Sequence, residues 1–175
     1  MFFCFNAGEI FQVAVEIEKN GLAFYESARQ AVSDPEVREL FAALARDEVE
    51  HKHRFEALLS ELPEELKRPT VSDLDNELDL YIRNLADQHV FGTGEGLKSQ
   101  SACALTTEDA LKLALQFEKD SVIFYLGMQE ATCEGKARDV IDLLIKEEQQ
   151  HLRRLSLQIG KCSANVKECL LHWPK

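Results

Sequence analysis

The chain repeats itself at an offset of one hundred residues. Laid without a gap over residues 110–158, residues 10–58 are identical at eleven of forty-nine positions: Ala14, Glu18, Lys19, Phe24, Tyr25, Ala31, Arg38, Leu44, Glu48, His51 and Arg54. Random composition gives roughly three. The strongest blocks set "EIEKNGLAFY" against "QFEKDSVIFY" and "RDEVEH" against "KEEQQH". A chain built this way must contain two copies of one supersecondary unit, and the copies bury their apolar faces against each other.

Each copy reads as a helical hairpin. In the first segment Phe11, Ala14, Leu22 and Tyr25 form an apolar stripe with Glu18 set into it. In the second, Val37, Leu40, Phe41, Leu44, Phe55 and Leu58 do the same around Glu48 and His51. The other half matches, with Leu111, Ala114, Leu115, Val122 and Tyr125 flanking Glu118, and Val140, Ile141, Leu144 and Leu155 flanking Glu148 and His151. These ionisable groups occupy positions that belong to a core. The stretch "RDEVEHKHRF" also holds a second Glu-x-x-His pair, Glu50 and His53, but it lies off the stripe and becomes Gln150 and Arg153 in the other half. The duplicated pair is therefore the candidate, and Glu50 and His53 are expected to be solvated.

Turn chemistry brings the groups level. "SDPEVREL" predicts a helix start with Ser33 as N-cap, Pro35 in the first turn and Glu36 at the capping-box position. Glu18 and Glu48 then lie fifteen residues on either side of the turn, about 22 Å from it at 1.5 Å per residue. The same count about Cys133 sets Glu118 level with Glu148. Four carboxylates and two imidazoles thus gather at one depth of an all-α four-helix core.

The expected organisation is one domain over residues 1–175, with hairpin 1 at about 8–60, a crossover at about 61–105, hairpin 2 at about 106–160 and a tail at 161–175. A crossover of that length can run the length of a bundle, so that the second and third long helices are parallel. Leu74, Leu78, Tyr81, Ile82 and Leu85 predict an extra helix within it, followed by a linker, "GTGEGLKSQS", that fits no phosphate-loop pattern. The tail after Lys161 reads as a short helix ending at Trp173 and Pro174.

Composition excludes several functions. With 45% apolar residues and only eight Gly and four Pro, the sequence looks helical and well buried. A net charge of −11 argues against nucleic acid and acidic lipid as partners. The N-terminal "MFFCFNAGEIF" lacks a basic flank and no later run is long enough for a membrane span, so a cytoplasmic protein is expected. The cysteines, at 4, 103, 133, 162 and 169, include no C-x-x-C, which disfavours a disulfide framework, structural zinc or a rubredoxin-type iron site.

The clustered carboxylates demand neutralisation. Packed together without it, they repel and lose hydration at a cost of several kcal/mol per ion. Protons could supply it in an inert bundle. Two divalent cations would cancel four glutamates while the histidines stay neutral, and oxygen-rich ligation with two imidazoles suits iron or manganese.

On "EKNGLAFY", "DEVEH", "EKDSVIFY" and "EEQQH" the sequence resembles the ferritin-like superfamily, specifically the rubrerythrin-like di-iron carboxylate proteins, over about residues 8–160. The resemblance implies a ferritin-like bundle holding two iron ions, with manganese or mixed occupancy as alternatives. It makes Glu18 and Glu118 terminal ligands, Glu48 and Glu148 bridges, and His51 and His151 ligands of one metal each. Tyr25 and Tyr125, seven residues beyond the terminal ligands, are candidates for hydrogen bonds to ligand carboxylates. Two departures stand out: no cysteine pairs are present to build a rubredoxin domain, and Ser121 stands where such proteins often place a further Glu. The leading expectation is reduction of peroxide, or reaction with dioxygen, using a separate electron donor in a homo-oligomer such as a dimer. Iron oxidation and storage is the alternative, and a structural bundle with a vestigial site is the third reading.

Overall fold

The computed structural model describes residues 7–67, 106–131 and 135–171. Its helices are α1 (Ala7–Ala31), α2 (Pro35–Glu61), a short α3 (Glu64–Lys67), α4 (Thr107–Ala131) and α5 (Lys136–Leu171), and no strand occurs among the described residues. The expected extra helix around residues 74–85 lies outside them.

The turns follow from local chemistry. Asp34, with φ −66° and ψ 121°, caps α2 by accepting hydrogen bonds from the backbone N–H of Glu36 (2.8 Å) and Val37 (3.1 Å). Sequence reasoning had put the cap one residue early, at Ser33. Pro35 decides the matter, because it forces the residue before it into extended backbone and itself suits the first helical position. In the second hairpin Gly135 takes φ 134°, open to glycine alone at little cost, and its carbonyl accepts from Asp139 N at 3.0 Å. The repeated arginines close both turns: Arg38 donates to Val32 O (3.0 Å) and Arg138 to Gln129 O (2.6 Å), carbonyls at or near the preceding helix end that lack helical partners. In the tail, α5 continues past Lys161 to Leu171, so the helix expected there extends α5, while Trp173 and Pro174 lie outside the described residues.

The core divides into two apolar clusters. One joins Phe11, Val13 and Ile17 of α1 to Phe55 and Leu58 of α2, Tyr125 and Met128 of α4, and Ile141 and Leu144 of α5. The other joins Phe24, Tyr25 and Ala28 of α1 to Phe41 and Leu44 of α2, Leu111, Ala114 and Phe117 of α4, and Leu155 of α5. Ring contacts tie the hairpins together within each cluster: Phe55 to Tyr125 at 5.3 Å and Phe24 to Phe117 edge-on at 4.5 Å. The C-terminal parts of α2 and α4 share one cluster, so these two helices run parallel. That direction requires the long crossover. The acidic residues set into the stripes fall between the two clusters, mid-bundle.

Candidate metal centre

Each long helix delivers its share of one buried layer: Glu18 from α1, Glu48 and His51 from α2, Glu118 from α4, and Glu148 and His151 from α5. All six are at most 5% exposed. Their donor atoms form two overlapping groups, Glu18, Glu48, His51, Glu148 and Glu48, Glu118, Glu148, His151, with the atoms of each group within 4.8 Å of one another. Glu48 and Glu148 belong to both. Glu50 and His53 stay outside: both are exposed, and His53 meets only Glu56 at 3.2 Å.

The imidazoles stack at 5.5 Å between centroids and 19° between planes, and each turns Nδ1 inward. His51 Nδ1 lies 2.8 Å from Glu148 Oε1 and 3.5 Å from Glu18 Oε2. His151 Nδ1 lies 3.2 Å from Glu148 Oε2 and 3.4 Å from Glu118 Oε2. The outer nitrogens reach carboxylates of the opposite hairpin, His51 Nε2 to Glu147 at 3.0 Å and His151 Nε2 to Asp47 at 3.2 Å. Arg54 braces Glu147, and Arg154 braces Asp47 at 2.9 Å. An Nε2–H donated outward leaves the Nδ1 lone pair for the interior, the tautomer a metal ligand needs. Sequence reasoning missed this outer ring. Its signal was present: Arg54 recurs as Arg154, and position 47 is acidic in both halves.

The tyrosines also work crosswise. Tyr25 donates to Glu118 and Tyr125 to Glu18, each serving the other half's carboxylate rather than the one on its own helix. Gly21 supplies clearance, since a Cβ there would stand 3.1 Å from both Cδ and Oε2 of Glu48.

The residues fit a metal pair. Among buried side-chain atoms of the described residues, Glu18 Oε2, His51 Nδ1 and Glu148 Oε1 have no hydrogen-bond partner. His51 Nδ1 and Glu148 Oε1 are close without the alignment of a hydrogen bond. Orphaned buried polar atoms are costly unless something else fills them.

Without metal, protons must do the neutralising. Burial, then repulsion from Glu18, Glu148 and Glu118, pushes Glu48 well above the carboxylate range. Burial and the charge of Glu148 raise Glu118 to about 8. Burial opposes the charge of Glu148 too, but hydrogen bonds with Glu118 and His151 and the adjacent His51 outweigh it and hold this group low. Burial alone would discharge the histidines. For His51 the charge of Glu18, the hydrogen bond to Glu147 and the adjacent Glu148 carboxylate prevail and push it up to about 12. For His151 hydrogen bonds to Asp47, Glu118 and Glu148 push it to about 11. Asp47 and Glu147 are both lowered, chiefly by their histidine hydrogen bonds.

The family model for Rubrerythrin matches residues 9–158, which take in every residue of this layer. The chain belongs to the rubrerythrin family. A crystal structure from Thermotoga maritima, described as a candidate ferritin-like diiron-carboxylate protein, superposes with a TM-score of 0.66 at 20% identity, over 93% of this chain and 99% of that one. At that identity the likeness shows the fold, a ferritin-like all-α bundle. No curated protein matches the sequence. Rubrerythrin-family membership and the glutamate and histidine cluster together fit a di-iron protein. In this member of the family Ser121 is buried, 8% exposed, at the repeat position that Gly21 holds in the first half. None of the described helices is long and apolar enough to cross a membrane.

Proposed function

We propose that the protein is a di-iron redox enzyme that reduces peroxide, with Glu18 and Glu118 as terminal ligands, Glu48 and Glu148 as bridges, and His51 and His151 each on one metal. The observation that carries this reading is the sharing of Glu48 and Glu148 between two donor groups of four. Two ferrous ions bound there would supply the two electrons that split the O–O bond of hydrogen peroxide, which with two protons leaves as two waters. The chain's own residues do the rest. Four glutamates offset two divalent charges, the apolar clusters above and below exclude water, and Tyr25 and Tyr125 fix the terminal carboxylates. A separate electron donor is part of this reading. A cytoplasmic homo-oligomer is part of the same reading.

The test is anaerobic loading with ferrous iron followed by rapid mixing with hydrogen peroxide or dioxygen. About two metals per chain should bind, and oxidation should be faster with peroxide and repeat when reductant is supplied. Iron uptake far beyond that ratio would replace the enzyme with a storage protein. Slow oxidation by both, unchanged in a Glu18→Ala, Glu118→Ala double variant, would leave a structural bundle.

A further inference from the structure

The two halves of the layer are related by the repeat, yet they are not equally ready for a metal. Among the described residues, the three buried side-chain atoms without a hydrogen-bond partner, Glu18 Oε2, His51 Nδ1 and Glu148 Oε1, belong to the donor group centred on α1 and α2. In the other group His151 Nδ1 is hydrogen-bonded to Glu148 Oε2 at 3.2 Å. His51 Nδ1 and Glu148 Oε1 face each other at 2.8 Å as an ion pair without hydrogen-bond alignment, so a cation arriving among the first three atoms displaces that contact but no aligned hydrogen bond. One arriving at the second group must displace the His151–Glu148 bond.

Position 21 adds to the difference. Gly21 lets the Glu48 carboxylate lie where a Cβ would crowd it at 3.1 Å, whereas the equivalent position in the second hairpin carries the buried side chain of Ser121. The shared carboxylate of α2 thus has clearance beside the Glu18 position.

We infer that the two metals load in order, the first into the position formed by Glu18, His51, Glu48 and Glu148, and the second into that formed by Glu118 and His151 with the same two bridges. This rests on the di-metal reading above and adds to it an inequivalence that the duplication alone does not contain. A hydrogen bond involving a charged group contributes enough for the two affinities to differ by at least about tenfold.

The experiment is an anaerobic titration of the metal-free protein with cobaltous ion, followed by calorimetry and visible absorbance, together with crystals soaked in one equivalent of cobalt and measured for anomalous scattering. Two steps separated by about tenfold or more are expected, with the first equivalent beside Glu18 and His51. Glu18→Gln should remove the tighter step and Glu118→Gln the weaker one. Equal affinities, or anomalous density at His151 first, would overturn the order while leaving the di-metal reading intact. Failure of the parent protein to bind cobalt at all would overturn both. The soaked crystal keeps the test valid if either variant misfolds.

Discussion

On the proposed di-metal reading, loading the metal-free protein must evict the protons that neutralise the buried layer. At pH 7 His51 and His151, raised to about 12 and 11, each carry a proton on top of the neutral ring. Glu118, at about 8, is mostly protonated, and Glu48 is pushed up by the same burial and repulsion. On the proposed reading His51, His151 and Glu118 must present lone pairs to the metals, so loading both positions should release about three protons per chain, and the upward shift of Glu48 acts in the same direction. Each released proton adds about 1.4 kcal/mol per pH unit to the loading free energy, roughly 4 kcal/mol per unit for these three. The same shifts fix the sign for the metal-free fold. The folded-state pKa of Glu118 exceeds its ordinary value of 4.5, so its contribution is fully present below that pH and is lost as pH rises through 8. The histidine contributions are present below 6.5 and decline as pH climbs toward 11 and 12. Glu148, Asp47 and Glu147 are lowered and act oppositely, losing their contributions in acid below the usual carboxylate range. Metal-free protein should therefore be most stable in mild acid, while the stabilisation gained on loading grows with pH. Calorimetry at pH 7 in buffers of different ionisation enthalpy counts the protons directly. Release of fewer than about one per chain would refute the reasoning, because the layer would then be neutralised by something other than its own protons.

Gly21→Ala should leave the metal-free melting temperature unchanged or slightly higher, since alanine is the better helix former by about 1 kcal/mol, yet shrink the melting shift on metal addition by displacing Glu48. Asp47→Ala or Glu147→Ala should weaken metal binding roughly ten- to a hundredfold by freeing the histidine ring, whereas Glu50→Ala and His53→Ala should be silent; the same titration reads all four. Tyr25→Phe and Tyr125→Phe should each cost about 1–3 kcal/mol in urea unfolding of the metal-free protein, by leaving a buried carboxylate oxygen without its donor.

What the sequence made legible is what the repeat could carry. Helical periodicity marked Glu18, Glu48, His51 and their partners as inward-facing, and an equal count from each turn set them level, because an α-helix converts residue number directly into depth. Counting along a helix gives no information about what lies across the bundle. Thus Tyr25 is on the same face as Glu18 but donates to Glu118, and Asp47, adjacent to Glu48, serves a histidine on α5. Likewise the cap moved from Ser33 to Asp34 because proline's effect on its predecessor outranks a side-chain pattern. Gly21 could not have been found by type alone, since a glycine inside a helix signals clearance only once the neighbouring carboxylate is in place.

The crosswise pattern bears on why the halves stay together. Among the described residues these supports are supplied in exchange: Tyr25 to Glu118 and Tyr125 to Glu18, Glu147 and Asp47 to the opposite histidines, Arg54 and Arg154 to the opposite acids. One hairpin alone holds half the donors and none of the groups that orient them. Docking the hairpins therefore completes the hydrogen bonds and forms the shared bridges in a single event, so a ligand that binds only the completed layer favours the docked state by its full binding free energy. On the proposed reading, metal binding would be linked to the tertiary contact between the two copies, and the repeated acids and arginines at 47, 54, 147 and 154 would make the link specific.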